Sequence, residues 1–120
     1  MVKIRLAILG VGLIGGSFGL AVKDKLGEKI YITGATRTEE SRRSAEKMKA
    51  VDKCYLSNIE AAKDADIIYL STPVLQMVPI IKQILPYLKQ GAIITDAGST
   101  KQYIANALHK LLPKSIYYVP

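Results

Sequence analysis

The hexapeptide Gly10-Val11-Gly12-Leu13-Ile14-Gly15 constrains this 120-residue chain more than any other stretch. It follows a β-branched apolar run at residues 4–9 and precedes a helical pattern over residues 13–26, with Gly27 placed to stop it. Glycines at such a junction predict a tight strand-to-helix turn. Gly10 permits the turn, Gly12 leaves empty the space a Cβ would fill, and Gly15 lets the helix lie close to the strand. The first N–H groups of a helix have no intrahelical acceptor, so those near Leu13 and Ile14 face outward as anion donors.

The rest of the chain repeats the same alternation. Residues 29–35 read as a second strand, and Thr38 opens a polar helix to about residue 49, with Glu39 and Glu40 where the helix dipole favours acids. Residues 51–56 hold a third strand. Ser57-Asn58-Ile59-Glu60 is a capping box for a short helix to about residue 63. Residues 66–71 form a nearly continuous apolar strand, and helix follows over 75–87. Pro79 fits only near the start of that helix, and Pro86 breaks or restarts its last turn. A fifth strand at 92–96 leads to the capping box Ser99-Thr100-Lys101-Gln102. The next helix places Ile104, Leu108, Leu111 and Leu112 on one face, and a last strand spans 116–119. Apolar strands alternating with helices predict a single α/β domain: a doubly wound parallel sheet of about six strands in the order 3-2-1-4-5-6, the Rossmann fold.

Composition narrows the function classes. No apolar stretch is long enough for a membrane span, and the glycine turn after residue 9 is unlike a signal-peptide cleavage site, so a cytoplasmic protein is expected. The net charge is +7, yet the lysines are dispersed and no basic block interleaves with aromatics, which argues against nucleic acid and leaves a phosphate-bearing small molecule. One cysteine, Cys54, excludes an intramolecular disulfide or a thiolate metal cluster and reads as a buried hydrophobe. No metal-ligand spacing is visible, and His109, the only histidine, falls off the apolar face of its helix as a surface residue.

A G-x-G-x-x-G turn in this context predicts a dinucleotide site. Domains selective for NAD carry a carboxylate about 20 residues beyond the loop, on the ribose 2′-hydroxyl. Here residues 34–38 read Gly-Ala-Thr-Arg-Thr, and Glu39 is the first acid after residue 28. Thr36 and Thr38 offer hydroxyls and Arg37 a forked cation suited to a 2′-phosphate, so NADP is expected over NAD. Ser71, Thr72 and Pro73 end the fourth strand and pass near the nicotinamide half. Ser99, beyond the fifth strand, caps the next helix and faces the same crevice. Asp96 is read as a structural hydrogen-bonding acid of that turn rather than a base.

Residues 10–17, Gly-Val-Gly-Leu-Ile-Gly-Gly-Ser, resemble the opening of prephenate and arogenate dehydrogenases. Residues 65–74 and the Asp-Ala-Gly-Ser-Thr-Lys of residues 96–101 are similar to two further motifs of that family, in the right order. The resemblance implies oxidative decarboxylation of prephenate or arogenate in tyrosine biosynthesis, part of aromatic amino acid biosynthesis. It implies a supporting catalytic role for Ser99 near substrate and nicotinamide, and a homodimer built through a helical domain. The family's catalytic histidine lies in a His-Pro-Met segment after the sixth strand, where this sequence has reached Pro120. Residues 1–120 are therefore expected to bind cofactor without turning over substrate. Competing readings are a related NADP-dependent reductase, of the pyrroline-carboxylate reductase or β-hydroxyacid dehydrogenase type, and a free-standing nucleotide sensor.

Overall fold

The computed structural model describes residues 3–97 and 101–119. Eleven main elements alternate along them: β1 (Ile4–Leu9), α1 (Leu13–Leu26), β2 (Ile30–Ala35), α2 (Glu39–Lys47), β3 (Lys53–Tyr55), α3 (Asn58–Ala62), β4 (Ile67–Leu70), α4 (Val74–Ile84), β5 (Ile93–Asp96), α5 (Lys101–Leu111) and β6 (Tyr117–Tyr118). They build one six-stranded sheet in the order β3-β2-β1-β4-β5-β6. Every pairing is parallel, so all strands end on the same edge.

The alternation of side chains along β1 explains why the run is apolar throughout. Leu6 and Ile8 enter one core with Ile30, Ile32, Val51 and Cys54, packed by Phe18 and Val22 of α1. Ala7 and Leu9 enter the opposite core with Ile68, Leu70, Met77, Ile81, Ile84 and Leu108. A strand covered on both faces has no polar side to alternate with. Only its first residues are open, with Ile4 exposed.

Three local expectations are corrected. Helix α2 stops at Lys47 rather than continuing to Lys49. Lys49 takes φ +63°, and the Lys49 and Ala50 amides donate back to the Glu46 and Ala45 carbonyls. This is the helix-ending turn that glycine usually supplies, which is why no glycine marked it. Strand β3 is shorter than residues 51–56: Asp52 N donates to the Ile32 carbonyl (2.8 Å), but it is the Asp52 carboxylate and not a backbone carbonyl that accepts from Ile32 N (2.7 Å). Pro79 lies inside α4, beyond its first turn. Lacking an N–H, it withholds the helical hydrogen bond from the Leu75 carbonyl, on a residue 80% exposed. Pro86 sits in a 3₁₀ turn that closes the same helix.

One packing contact explains a glycine inside α1. A Cβ at Gly19 would lie 2.2 Å from the Ala50 carbonyl oxygen, so α1 and the turn after α2 can meet only over glycine. Both partners belong to the same domain.

Candidate functional site

Three loops converge at the carboxyl edge of the sheet and hold one another. The Ala35 carbonyl, at the end of β2, accepts from Gly10 N (3.0 Å) and Val11 N (3.2 Å). Gly10 adopts φ +90°, which an L side chain rarely takes, and its Cβ would meet Thr72 Cγ2 at 2.6 Å. Ser71, at the end of β4, donates its hydroxyl to the Gly10 carbonyl at 2.6 Å. A Cβ on Gly15 would meet that hydroxyl oxygen at 2.6 Å and the Gly10 carbonyl at 2.9 Å. Gly10, Gly15 and Ser71 are thus explained by contacts within the chain.

Gly12 is not. An added Cβ there meets nothing within 4 Å, and its φ of −123° is open to any residue. It is the N-cap of α1, whose start has no side-chain cap and no acidic residue in the first turn. Among the described residues no side chain caps the start of α1, and the space in front of Gly12 is open.

That opening is the floor of a cleft of about 700 Å³. Of the residues singled out from sequence, Gly10, Gly12, Thr36, Arg37, Thr38, Ser71, Thr72 and Pro73 line it. Leu13 enters only as the first residue of α1, Ile14 is 60% exposed, and Gly15 packs beneath the loop. Ser99 lies outside the described residues. The opposite wall was missed: Leu56 and Asn58 around the end of β3, and Leu75, Gln76, Pro79 and Ile80 along α4. No motif announces these residues. Leu56 and Leu75 are large apolar side chains 54% and 80% exposed, a feature that only the fold reveals.

The rim at β2–α2 carries the charge. Arg37 is exposed, lines the cleft and has no ion-pair partner among the described residues. Thr36 is buried, and its hydroxyl donates to the Thr38 carbonyl at 3.2 Å, so it braces the loop. The Cys54 thiol points to Thr36 Oγ1 at 4.0 Å from below, and burial raises its pKa. Thr38 caps α2 by accepting from Ser41 N at 3.1 Å, and Ser41, also missed from sequence, joins the cleft lining.

Glu39, the first acid after β2, is fully engaged on the helix. Arg42 binds both its oxygens, through Nε at 2.9 Å and through a second, shorter contact, and Arg43 Nε adds a third bond at 3.3 Å. The Arg42 hydrogen bonds hold its carboxyl at about 2, well below the ordinary 4.5. Arg42 also reaches Glu46, which accepts from Cys54 N and so braces β3.

Thr72 Oγ1 is buried and has no hydrogen-bond partner among the described residues. A buried hydroxyl without a partner is costly, and a ligand in the cleft can supply one. At the far end of the edge, Asp96 is buried and accepts from the Tyr118 hydroxyl at 2.5 Å, a bond to β6 that sequence did not suggest. Burial and Asp96 together raise the Tyr118 pKa. His109 is exposed on α5. No described helix is long and apolar enough to cross a membrane.

Residues 18–120 match the family described as prephenate dehydrogenase, nucleotide-binding domain. The chain is 38% identical over 108 residues to a prephenate dehydrogenase of Lactococcus lactis, covering 89% of this chain and 30% of that protein. It superposes on prephenate dehydrogenase from A. aeolicus, solved with hydroxyphenyl propionate and NAD+, with TM-score 0.83 and 28% identity, covering 97% of this chain and 41% of that one. It superposes on Synechocystis arogenate dehydrogenase with TM-score 0.82 and 29% identity, covering 90% and 37%. The chain therefore spans about a third of the length of the relatives it matches.

Proposed function

Because the chain belongs to the prephenate dehydrogenase family through its nucleotide-binding domain, we propose that it is the cofactor-binding part of an NADP-preferring prephenate or arogenate dehydrogenase of tyrosine biosynthesis. The complete enzyme would act on that small substrate as a homodimer.

The fit to a dinucleotide rests on two features that the protein's own packing leaves unexplained. Among the described residues, Gly12 faces empty space at a helix start without a side-chain cap, and Thr72 Oγ1 is buried without a partner. The backbone at Gly12, Leu13 and Ile14 would hold the pyrophosphate, and Thr72 would donate to the bound cofactor. Leu56, Leu75, Pro79 and Ile80 offer an apolar wall for a flat base. Arg37 would take the 2′-phosphate, with Thr38 and Ser41 beside it.

A cofactor held there would supply the hydride-accepting capacity that oxidative decarboxylation of the substrate ring requires. The residues of this chain orient that half from the ends of β4 and β5. Ser71 fixes the loop floor, Thr72 and Pro73 pass beside it, and Ser99 is proposed to contact substrate or nicotinamide. Since the span covers about a third of its relatives, residues 1–120 alone are proposed to bind nucleotide without oxidising prephenate.

The observation that carries the NADP preference is Arg37, a cation lining the cleft with no carboxylate partner among the described residues. Calorimetric titration with NADP+ and NAD+ tests it. NADP+ should bind at least about tenfold more tightly, a difference of about 1.4 kcal/mol. Equal affinities would defeat the preference, and no heat from either would defeat nucleotide binding.

A further inference from the structure

We propose that Arg42 and Arg43 are specificity-determining residues that act by holding the Glu39 carboxylate away from the cofactor's ribose. This rests on the NADP reading and adds to it the reason a carboxylate so close to the site does not oppose it.

Glu39 directly follows Thr38 and is two residues beyond Arg37, both of which line the cleft. A carboxylate in this region is what selects a free 2′-hydroxyl and repels a 2′-phosphate. Yet Glu39 does not line the cleft. Both its oxygens are taken by the Arg42 fork, and Oε1 also by Arg43. A planar guanidinium binding both oxygens fixes direction as well as charge. Arg42 is itself anchored by Glu46, whose other oxygen accepts from the backbone of β3 at 2.8 Å. The grip on Glu39 is therefore tied to the sheet edge, and Arg43, 75% exposed, adds a second cation from the solvent side.

The arrangement makes a prediction that charge counting alone does not. In the native protein the carboxylate is already masked, so E39Q should change little. With the mask removed, the same substitution should matter.

The test measures NADP+ and NAD+ affinities of the full-length protein by calorimetry for wild type, E39Q, R42Q/R43Q and E39Q/R42Q/R43Q. R42Q/R43Q should lower the NADP+/NAD+ affinity ratio about five- to tenfold, the scale of one exposed charge beside a doubly charged phosphate. E39Q should change the ratio by about twofold or less in the native background and recover most of the loss in the arginine-free one. The recovered part should shrink as salt is raised toward about 1 M, where the screening length falls to about 3 Å.

An unchanged ratio in R42Q/R43Q overturns the proposal. So does an equal E39Q effect in both backgrounds, or a loss that E39Q does not recover, which would put Arg42 or Arg43 on the phosphate itself. Should R42Q/R43Q not fold, R42K/R43Q keeps a cation for Glu46 while removing the Arg42 fork and the Arg43 cation. Its ratio should fall about two- to threefold, and no fall overturns the proposal equally. A wild type without NADP preference defeats the earlier reading alone, because the four-protein comparison concerns changes in the ratio.

Discussion

Helices α1 and α2 start at the same edge of the sheet and beside the same cleft, but they meet the needs of their first turns in opposite ways. Helix α2 satisfies itself: Thr38 caps it, acids occupy its first turn, and Arg42 and Arg43 hold Glu39. Helix α1 has glycine at the cap position, no capping hydrogen bond and no acid. The protein caps one start itself, and the other is the one proposed to take the dinucleotide. An uncapped start is a stability cost that a bound diphosphate removes, since its oxygens take the amides a serine would otherwise cap.

The largest test of this contrast separates two glycines of the same helix region. Gly19→Ala places a Cβ 2.2 Å from the rigid Ala50 carbonyl. Thermal or urea unfolding should show a loss of about 3 kcal/mol, the upper part of the overpacking range. The folded fraction should still bind nucleotide. Gly12→Ala should do the reverse. Nothing in the protein opposes its Cβ, so stability should stay within about 1 kcal/mol. Nucleotide affinity should fall at least about tenfold, which is about 1.4 kcal/mol. If Gly12→Ala bound as tightly as wild type, the α1 start would lose its claim to be the diphosphate site.

The second test moves to the α2 side. Arg37→Ala should weaken NADP+ by about 1.5–3 kcal/mol, the range for charge-assisted hydrogen bonds. NAD+ should change little, because it has no phosphate there. Titration of both cofactors decides this, and equal losses would mean that Arg37 serves the loop instead of the phosphate.

These two regions also differ in how far they could be read from sequence. The α1 turn was legible in detail because Gly10 answers a positive φ and Gly15 a close approach to the loop, while Gly12 was read from its place at the helix start. Strand order was legible for a similar reason: apolar strands alternating with helices leave few ways to cover both faces of a sheet with right-handed crossovers. The α2 side was read only in part. Arg37 and Thr38 stood out by type, but the Arg42 grip on Glu39 needs helical geometry and the Glu46 brace to β3. The sequence suggests Thr36 as a hydroxyl for a ligand; the residue lines the cleft, and what the sequence does not show is that its hydroxyl donates to the Thr38 carbonyl within the loop. The wall at Leu56 and Leu75 comes from loop and helix positions with no shared spacing. The Tyr118–Asp96 bond joins residues 22 apart, and the expected neighbourhood of the last two strands does not say that these two side chains meet.

A smaller effect tests the cap itself. Thr38→Ala removes the oxygen that accepts from Ser41 N. It should cost about 1 kcal/mol of stability, within the range measured for lost N-caps, and urea unfolding at fixed pH measures it. Helix α1 has no such bond to lose, so among the two starts only α2 should show this penalty.

The smallest expected effect is the acid dependence of the Glu39 pair. Its carboxyl is held at about 2 in the folded protein against an ordinary 4.5, chiefly by hydrogen bonds from Arg42. The folded value is lower, so the unfolded chain binds this proton first as pH falls. The stabilisation is complete above about pH 4.5 and disappears as pH drops toward about 2. Because the pair is solvent-exposed, screening keeps the contribution modest. Comparing unfolding of wild type and E39Q across that interval isolates it: the difference between them should be constant above the upper bound and vanish toward the lower one. A difference that persisted unchanged to pH 2 would assign Glu39 a packing role independent of its charge, and would remove the electrostatic reason for the two arginines beside it.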